Sequence, residues 1–358
     1  MIVIADDITG AAEMAGIAHT FGLSTVLTTD GHLIGDPSVA ADVLVVATDT
    51  RSMTAEEAAS QCRDLISHVP PGERVFKKVD SALRGHVVEE LAAFLSAGPF
   101  ADAVYLPANP SAQRVISGGI CYVDGRPIHE TAFAHDPDFP AISSSLSERF
   151  PAAKRLPVAM PDATSMDDVA AVVAKTDADT LLAGAADLFT SWLLWLGYSP
   201  HHLRPFKGLP TDDALIVCGS TQSKALSLGV RVAEMPLAVY EDRQTADTWL
   251  APLQDCFARE HSLVLTIPYR HLTGKAVAAH LRKTMAMVCQ SLLAVHRPAE
   301  WVIEGGATAY ACLHAAGVDR FSVTDVVAPG VIRLSTCQGM SVTLKPGSYP
   351  WGGLFAEA

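Results

Sequence analysis

The first sixteen residues limit the possible folds most. Met1 to Ala5 is a short apolar run rich in β-branched residues. Thr9-Gly10 then opens a stretch with apolar residues at helical spacing (Ala12, Ala15, Ile17, Ala18, Phe21), and Gly22 stands where a helix C-terminal glycine belongs. A strand apolar on both faces that leads directly into a helix predicts a parallel sheet covered by helices. Asp6 and Asp7 sit between the two, at the carboxyl end of the strand, where open α/β sheets bind ligands. One of these acids has a plain explanation as a helix N-cap. One cap needs one acceptor, so the second acid is expected to serve a ligand. Side chains alternate along a strand, which puts Ile4 and Asp6 on one face and Ala5 and Asp7 on the other. Asp7, nearer the helix start, is expected to face the ligand, and Asp6 to support the turn.

The alternation continues. The pattern predicts a strand over Val43 to Thr48 ending in Asp49-Thr50-Arg51, and a helix over Thr54 to Ser67 with Thr54 as N-cap. A strand over Arg74 to Val79 runs into Asp80-Ser81, and a helix starts at Arg84 or Gly85 and ends at Leu95. A strand over Ala103 to Leu106 ends in Pro107-Ala108-Asn109-Pro110. Asp124-Gly125 between two short apolar runs signals a hairpin flap. The proline-rich, aperiodic stretch Tyr198 to Asp213 reads as a linker. Beyond it strands are predicted at Ala214 to Cys218, Leu263 to Ile267 and Trp301 to Glu304, with helices at Thr245 to Arg259, Lys275 to Val295 and Ala307 to Ala316. The stretch Val331 to Lys345 is strand-like. The fold class is therefore α/β, in two domains (1–205 and 206–358), each with a mostly parallel sheet flanked by helices.

Composition excludes several functions. Duplex nucleic acid needs basic surface, and the formal net charge is -13. No run of eighteen apolar residues predicts a membrane span. The seven cysteines show no C-x-x-C, which suits reduced thiols and neither a disulfide framework nor a zinc site. The N-terminus lacks a basic leader, so a cytoplasmic location is expected.

Polar groups collect at the predicted strand ends. In the first half they are Asp6 and Asp7, then Asp49 and Arg51, then Lys77, Lys78, Asp80, Ser81 and Arg84, then Asn109 and Arg114. Singly each has an ordinary reading as a cap, turn or surface charge. Four successive strands delivering such groups to one edge point to a small polyhydroxylated anion, because Arg forks onto carboxylates and Asp accepts from hydroxyls. The second half instead offers small glycine-rich turns: Gly219-Ser220, Gly305-Gly306 with Ala307 and Thr308, Pro329-Gly330 and Pro346-Gly347-Ser348. Backbone N–H groups at a helix N-terminus can cradle phosphate. The spacing is neither a P-loop nor G-x-G-x-x-G, and alone it suits an ordinary tight turn equally well.

Four stretches carry a resemblance. They are Ile4-Ala-Asp-Asp-Ile-Thr-Gly-Ala11, Thr48-Asp-Thr-Arg51, Lys77-Lys-Val-Asp-Ser-Ala-Leu-Arg-Gly85, and Pro107-Ala-Asn-Pro-Ser-Ala-Gln-Arg114 leading to Tyr122-Val and Glu130-Thr131. In this order they resemble the four-carbon acid sugar kinases, the family of D-threonate, D-erythronate and 3-oxo-tetronate kinases. The resemblance implies an N-terminal domain for the acid sugar, with contacts at Asp6 or Asp7, Arg51, Lys78, Asp80 and Ser81. It implies a C-terminal domain for ATP with Mg²⁺, and an active site in the cleft between the domains. Gly305-Gly306-Ala307-Thr308 stands where the family has Gly-Gly-acid-Thr, with Ala307 in the acid position. Arg51 and Lys78 are expected to hold the substrate carboxylate, and Asp7 or Asp80 to accept the hydroxyl proton. A homodimer is compatible with the sequence. Two other readings remain open. A haloacid-dehalogenase-type phosphatase also uses an acid after its first strand, but as Asp-x-Asp, a spacing that Asp6-Asp7 lacks. A non-catalytic acid-sugar sensor would fit Ala307.

Overall fold

The structure is a computed structural model, which describes all residues except 137, 204, 220–227, 269–273, 348, 350, 352 and 356–358. The chain divides into two compact units, Met1–His202 and Leu203–Ala358.

The first unit is a parallel sheet. Its strands are β1 (Ile2–Ala5), β2 (Thr25–Thr28), β3 (Val43–Ala47), β4 (Val75–Lys78), β5 (Asp102–Leu106), β9 (Val158–Ala159) and β10 (Thr180–Gly184), in the order β2-β3-β1-β4-β10-β5-β9. All neighbouring pairs are parallel. The helices are α1 (Ile8–Thr20), α2 (Ala55–Ser67), α3 (Val87–Ala97), α4 (Leu146–Arg149), α5 (Met166–Val173) and α6 (Ala186–Trp195). A separate antiparallel sheet of β6 (Arg114–Ser117), β7 (Ile120–Val123) and β8 (Arg126–Pro127) forms the flap.

β1 is central and apolar on both faces, with every residue buried, which fixes helices above and below it. Two adjacent lysines on β4 show the two layers. Lys77 points to α3, where its ammonium meets Glu90 at 2.8 Å with both groups buried. Lys78, one residue on, points to α1, 3.7 Å from Glu13. Alternation along the strand puts consecutive side chains on opposite faces, so one helix layer takes each lysine.

Several boundaries differ from the sequence reading. α1 begins at Ile8, because Asp7 itself caps it. α3 begins at Val87, later than Arg84 or Gly85. Leu83 (φ 62°) and Gly85 (φ 98°) are left-handed, so residues 80–85 form a turn that cannot be helical. The hairpin at Asp124-Gly125 gains β6 as a third strand, while β8 is only two residues long. The linker is shorter than the proline-rich stretch: Leu209 is fully buried in the second unit's core beside Ala214, Ile216 and Leu354.

The second unit has the strands β11 (Ala214–Cys218), β12 (Val232–Glu234), β13 (Leu263–Thr266), β14 (Glu300–Glu304), β15 (Arg320–Ala328), β16 (Val331–Thr336) and β17 (Ser341–Lys345). β12-β13-β11-β14-β17 are mutually parallel, and β16 and β15 continue the sheet antiparallel. Its helices are α7 (Leu237–Tyr240), α8 (Asp247–Glu260), α9 (Lys275–Val295) and α10 (Gly306–Ala315). The strand-like run 331–345 turns back on itself at 337–340, giving β16 and β17. β15 is not expected from the sequence reading; its alternation is broken by register shifts near Asp325 and Ala328. Two α/β units with mostly parallel sheets agree with the fold class read from the sequence.

The Lys77–Glu90 pair gives a test. Lys77→Met leaves a carboxylate buried without its partner, and the first unit should lose about 3–5 kcal/mol in denaturant unfolding. Adding Glu90→Leu should restore most of that loss, since an apolar pair of similar volume is commonly neutral.

Candidate active site

The carboxyl ends of β1, β3 and β4 meet at one edge of the first unit. Thr48 follows β3 and donates to the Ala5 carbonyl at 2.9 Å, holding the loop after β3 against β1. That loop places Arg51 beside the two leading acids. Arg51 forks onto Asp6, with Nε donating to Oδ2 at 3.1 Å and Nη2 to Oδ1 at 2.9 Å. Nη2 also donates to Asp7 Oδ1 at 3.2 Å and lies 3.6 Å from Asp80 Oδ1. One guanidinium therefore holds three buried carboxyl groups together.

Asp7 does two things at once. Its Oδ1 accepts from Gly10 N–H at 3.0 Å as the α1 N-cap, and its Oδ2 accepts from the Thr9 hydroxyl at 2.5 Å. A Cβ at Gly10 would lie 2.6 Å from Asp7 Oδ1 and 3.1 Å from Lys78 Nζ. The glycine is thus required for both groups to approach. Lys78 Nζ donates to the Val79 carbonyl at 3.0 Å.

Asp80 organises the turn after β4. It accepts from Ala82 N–H at 2.9 Å and takes the Arg84 fork at Oδ1 and Oδ2, each 2.9 Å. Arg84 also donates to Asp136 at 3.3 Å. Arg114, at the start of β6, donates a short hydrogen bond to the Ser81 hydroxyl. The Phe133 ring stacks near both cations, 5.7 Å from the Arg84 guanidinium carbon and 5.4 Å from that of Arg114. Asn109 is used differently: its Oδ1 accepts from Asp187 N–H at 3.0 Å, tying the end of β5 to the first turn of α6.

The acids are not equivalent. Burial pushes Asp6 up, and although Arg51 opposes this, the neighbouring Asp7 charge adds to it. Burial opposes ionisation of Asp7 too, but Arg51, Lys78 and the Thr9 hydroxyl outweigh it and hold that carboxyl below its ordinary value. Asp80 is held well below its ordinary value, since Arg84, Arg51 and Arg114 together exceed the cost of burial. Glu13 on α1 is pushed up by burial, with Lys78 only partly compensating.

Asp6, Asp7, Arg51, Lys78, Asp80, Ser81, Arg84 and Arg114 therefore form one cluster, and Asn109 lies beside it on a structural bond. Arg51 is engaged by Asp6 instead of offering both arms of its fork to a ligand. Sequence reasoning missed Glu13, Phe133 and Asp136. Glu13 had a signal, being the lone acid in an otherwise apolar helix.

In the second unit, Gly305 (φ 91°) precedes α10, whose first residue is Gly306. Gly305 N–H donates to the Lys345 carbonyl at 2.8 Å. Gly219, after β11, comes so close to this turn that a Cβ would lie 2.6 Å from the Glu304 carbonyl and 2.6 Å from the Thr308 hydroxyl. Ala307 lies in the first turn of α10, and the Thr308 side chain is buried. Glu304 pairs with Lys345 at 2.7 Å, and Trp351 lies 4.6 Å from that ammonium. Gly330 (φ 70°) lies in the turn between β15 and β16 against the Tyr349 ring, and Gly347 lies in the turn after β17. Ser220 lies outside the described residues. With the Gly305 N–H taken by Lys345, the groups this turn offers are the backbone of Gly219 and Gly306 at a helix N-terminus, which suits phosphate.

Residues 1–190 match a family model described as a sugar-binding N-terminal domain, and residues 221–349 match a nucleotide-binding C-terminal domain. The chain belongs to the four-carbon acid sugar kinase family. It is 28% identical to a D-threonate kinase of Bordetella bronchiseptica over 97% of this chain and 93% of that protein. It is 27% identical to a 3-oxo-tetronate kinase of Cupriavidus necator over 99% and 95%. A D-threonate kinase of Salmonella typhimurium is 37% identical over 44% of this chain, a match that spans only 38% of that protein. Solved structures of proteins from Salmonella typhimurium (TM-score 0.74, 19% identical, 97% of this chain and 96% of that one) and Haemophilus influenzae (TM-score 0.65, 19% identical, 99% and 98%) share the fold. No helix among the described residues is long and apolar enough to cross a membrane.

Arg51 supplies the test of this cluster. Arg51→Ala leaves three buried carboxyl groups facing one another, and the first unit should lose about 3–5 kcal/mol at neutral pH. Arg51 lowers the carboxyls of Asp7 and Asp80 in the folded state. Its contribution through them is present above the unfolded carboxylate range, about pH 4, and is lost as pH falls through the folded values. The stability gap between parent and variant should narrow below about pH 4. A gap that stays constant down to pH 3 would show that Arg51 does not act by neutralising these acids.

Proposed function

We propose that the protein is an ATP-dependent kinase that phosphorylates a terminal hydroxyl of a four-carbon acid sugar of the threonate, erythronate or 3-oxo-tetronate class. The charged cluster on the first unit carries this reading. It sets buried, hydrogen-bonded cations and anions side by side at the carboxyl edge of a parallel sheet, which suits a ligand bearing one carboxylate and several hydroxyls.

In this reading Arg51 neutralises Asp6, Asp7 and Asp80, and Lys78 and Arg114 meet the substrate carboxylate. This revises the expected carboxylate clamp at Arg51. Ser81 and Asp80 order the hydroxyls. Asp7 orients the attacking hydroxyl and accepts its proton as the oxygen bonds to the γ-phosphorus and the bond to ADP breaks. A loose phosphoryl-transfer transition state asks little of a base, so an acid held below its ordinary value serves. Gly219, Gly306 and Thr308 hold the nucleotide phosphates by backbone and hydroxyl donors, Gly305, whose N–H is bonded to the Lys345 carbonyl, shapes the turn they sit on, and Mg²⁺ accompanies those phosphates. Positioning and charge neutralisation supply most of the acceleration.

Acid-dependent ATP consumption across D-threonate, D-erythronate and 3-oxo-tetronate tests the function, and no turnover with any such acid would remove it. Asp7→Asn tests the role of Asp7. Asn keeps the helix cap but gives up the buried charge beside Arg51 and Lys78, so the melting temperature should fall modestly with the variant still folded. Turnover should fall about a hundredfold or more with the charge and the proton acceptor gone. An active Asp7→Asn beside a folded but dead Asp6→Asn would reverse the two assignments.

Gly306→Val tests the division of labour. It should raise the Michaelis constant for ATP and leave the binding of the acid sugar unchanged. If the acid sugar is lost while ATP still binds, the two ligands have been given to the wrong units.

A further inference from the structure

The amino edge of the second unit's sheet carries a cluster that the kinase reading leaves unused. Asp213 precedes β11, His261 follows α8 just before β13, and His296 follows α9 just before β14. These three strands are neighbours in the order β13-β11-β14, so parallel topology brings the three loops together. The glycine turns at 219 and 305 are at the opposite, carboxyl end of the same strands.

The three side chains converge. One ligand atom from each lies within 4.8 Å of the others. His296 Nε2 is 2.7 Å from Asp213 Oδ1, and the His261 and His296 rings stack at 4.2 Å with 12° between their planes. Other groups fix the cluster. Ala299 N–H donates to Asp213 Oδ2 at 3.0 Å, leaving Oδ1 for the histidines. Phe257 packs edge-on against His296 at 5.3 Å. His261 holds a left-handed conformation (φ 58°) as the C-cap of the 14-residue α8, and His296 caps the 21-residue α9. Two long helices thus aim their C-terminal, electronegative ends at one spot, which favours a cation.

We propose that Asp213, His261 and His296 form a site for a divalent first-row transition ion of the Zn²⁺ class. Two imidazoles and one carboxylate are the donors such ions prefer, whereas Mg²⁺ prefers oxygen alone. Ligand atoms around one tetrahedral ion stand about 3.3 Å apart at ordinary bond lengths, so modest side-chain rotation closes the site. The ion takes the place of the proton that bridges His296 and Asp213, and water completes its coordination. Bound there, it clips the residue before β11 to the ends of α8 and α9. The ion lies away from the phosphate turns and plays no part in transfer.

The test is calorimetry of the full-length, chelator-treated protein with Zn²⁺. One ion should bind at micromolar concentration or tighter, millimolar Mg²⁺ should not displace it, and the melting temperature should rise. His261→Asn, at an exposed position whose left-handed backbone Asn accepts, should weaken Zn²⁺ at least tenfold with the metal-free melting temperature unchanged. His296→Gln should do the same for Zn²⁺. If both variants bind Zn²⁺ as the parent does, or the parent binds none at micromolar concentration, the cluster is only a hydrogen-bonded surface group. Acid-dependent ATP consumption is read in parallel. Its absence bears on the kinase reading alone, and Zn²⁺ binding bears on this site alone.

Discussion

The first unit depends on one guanidinium surrounded by three carboxyl groups. Asp6, Asp7 and Asp80 come from the ends of two adjacent strands, and without a cation between them their mutual repulsion and burial would drive the edge apart or force protonation. Arg51 reaches them because β3 lies beside β1 and its following loop is tied back by the Thr48 hydroxyl. The result is an unequal set of acids, with Asp7 and Asp80 held ionised and Asp6 pushed the other way. Such acceptors are fixed in advance, which is the property that electrostatic positioning requires.

The two units present polar groups by different means. The first collects side-chain charge, with two Arg forks closed on its own carboxylates at Asp6 and Asp80. The second exposes backbone donors at the start of α10, where glycine at 219 and 305 keeps side chains out of the way. Phosphate asks for donors and proximity more than for shape, and backbone suffices. Lys345, a cation near that turn, is already neutralised by Glu304 and covered by Trp351.

Much of this was legible in the sequence because it is local. An apolar run followed by an acid marks a parallel strand and its ligand edge, and β1 and β3 announce themselves in this way. Thr54 reads as an N-cap, and the structure shows it capping α2 in a box with Glu57. What was not legible depends on partners distant in sequence. That Arg51 spends its fork on Asp6 is a contact across 45 residues. Asp136 and Phe133 reach the cluster from a segment without periodicity. Glu13 stood out as a lone charge, but its direction follows from how α1 is rotated against β4, which no local pattern sets. β15 alternates correctly only until its register shifts.

The paired lysines of β4 have a consequence for folding. A purely apolar strand slipped by one residue against its neighbours still buries apolar groups on both faces, so a two-sided hydrophobic strand carries little information about its own register. Lys77 and Lys78 remove that ambiguity. A one-residue slip would carry one lysine into the other's place and move the other along the strand, away from any acid, leaving one buried ammonium and one buried carboxylate (Glu13 or Glu90) unmatched at several kcal/mol. The alignment of the central strands, and with it the position of Asp80 beside Arg51, is thus specified by charge where hydrophobicity alone would leave it degenerate.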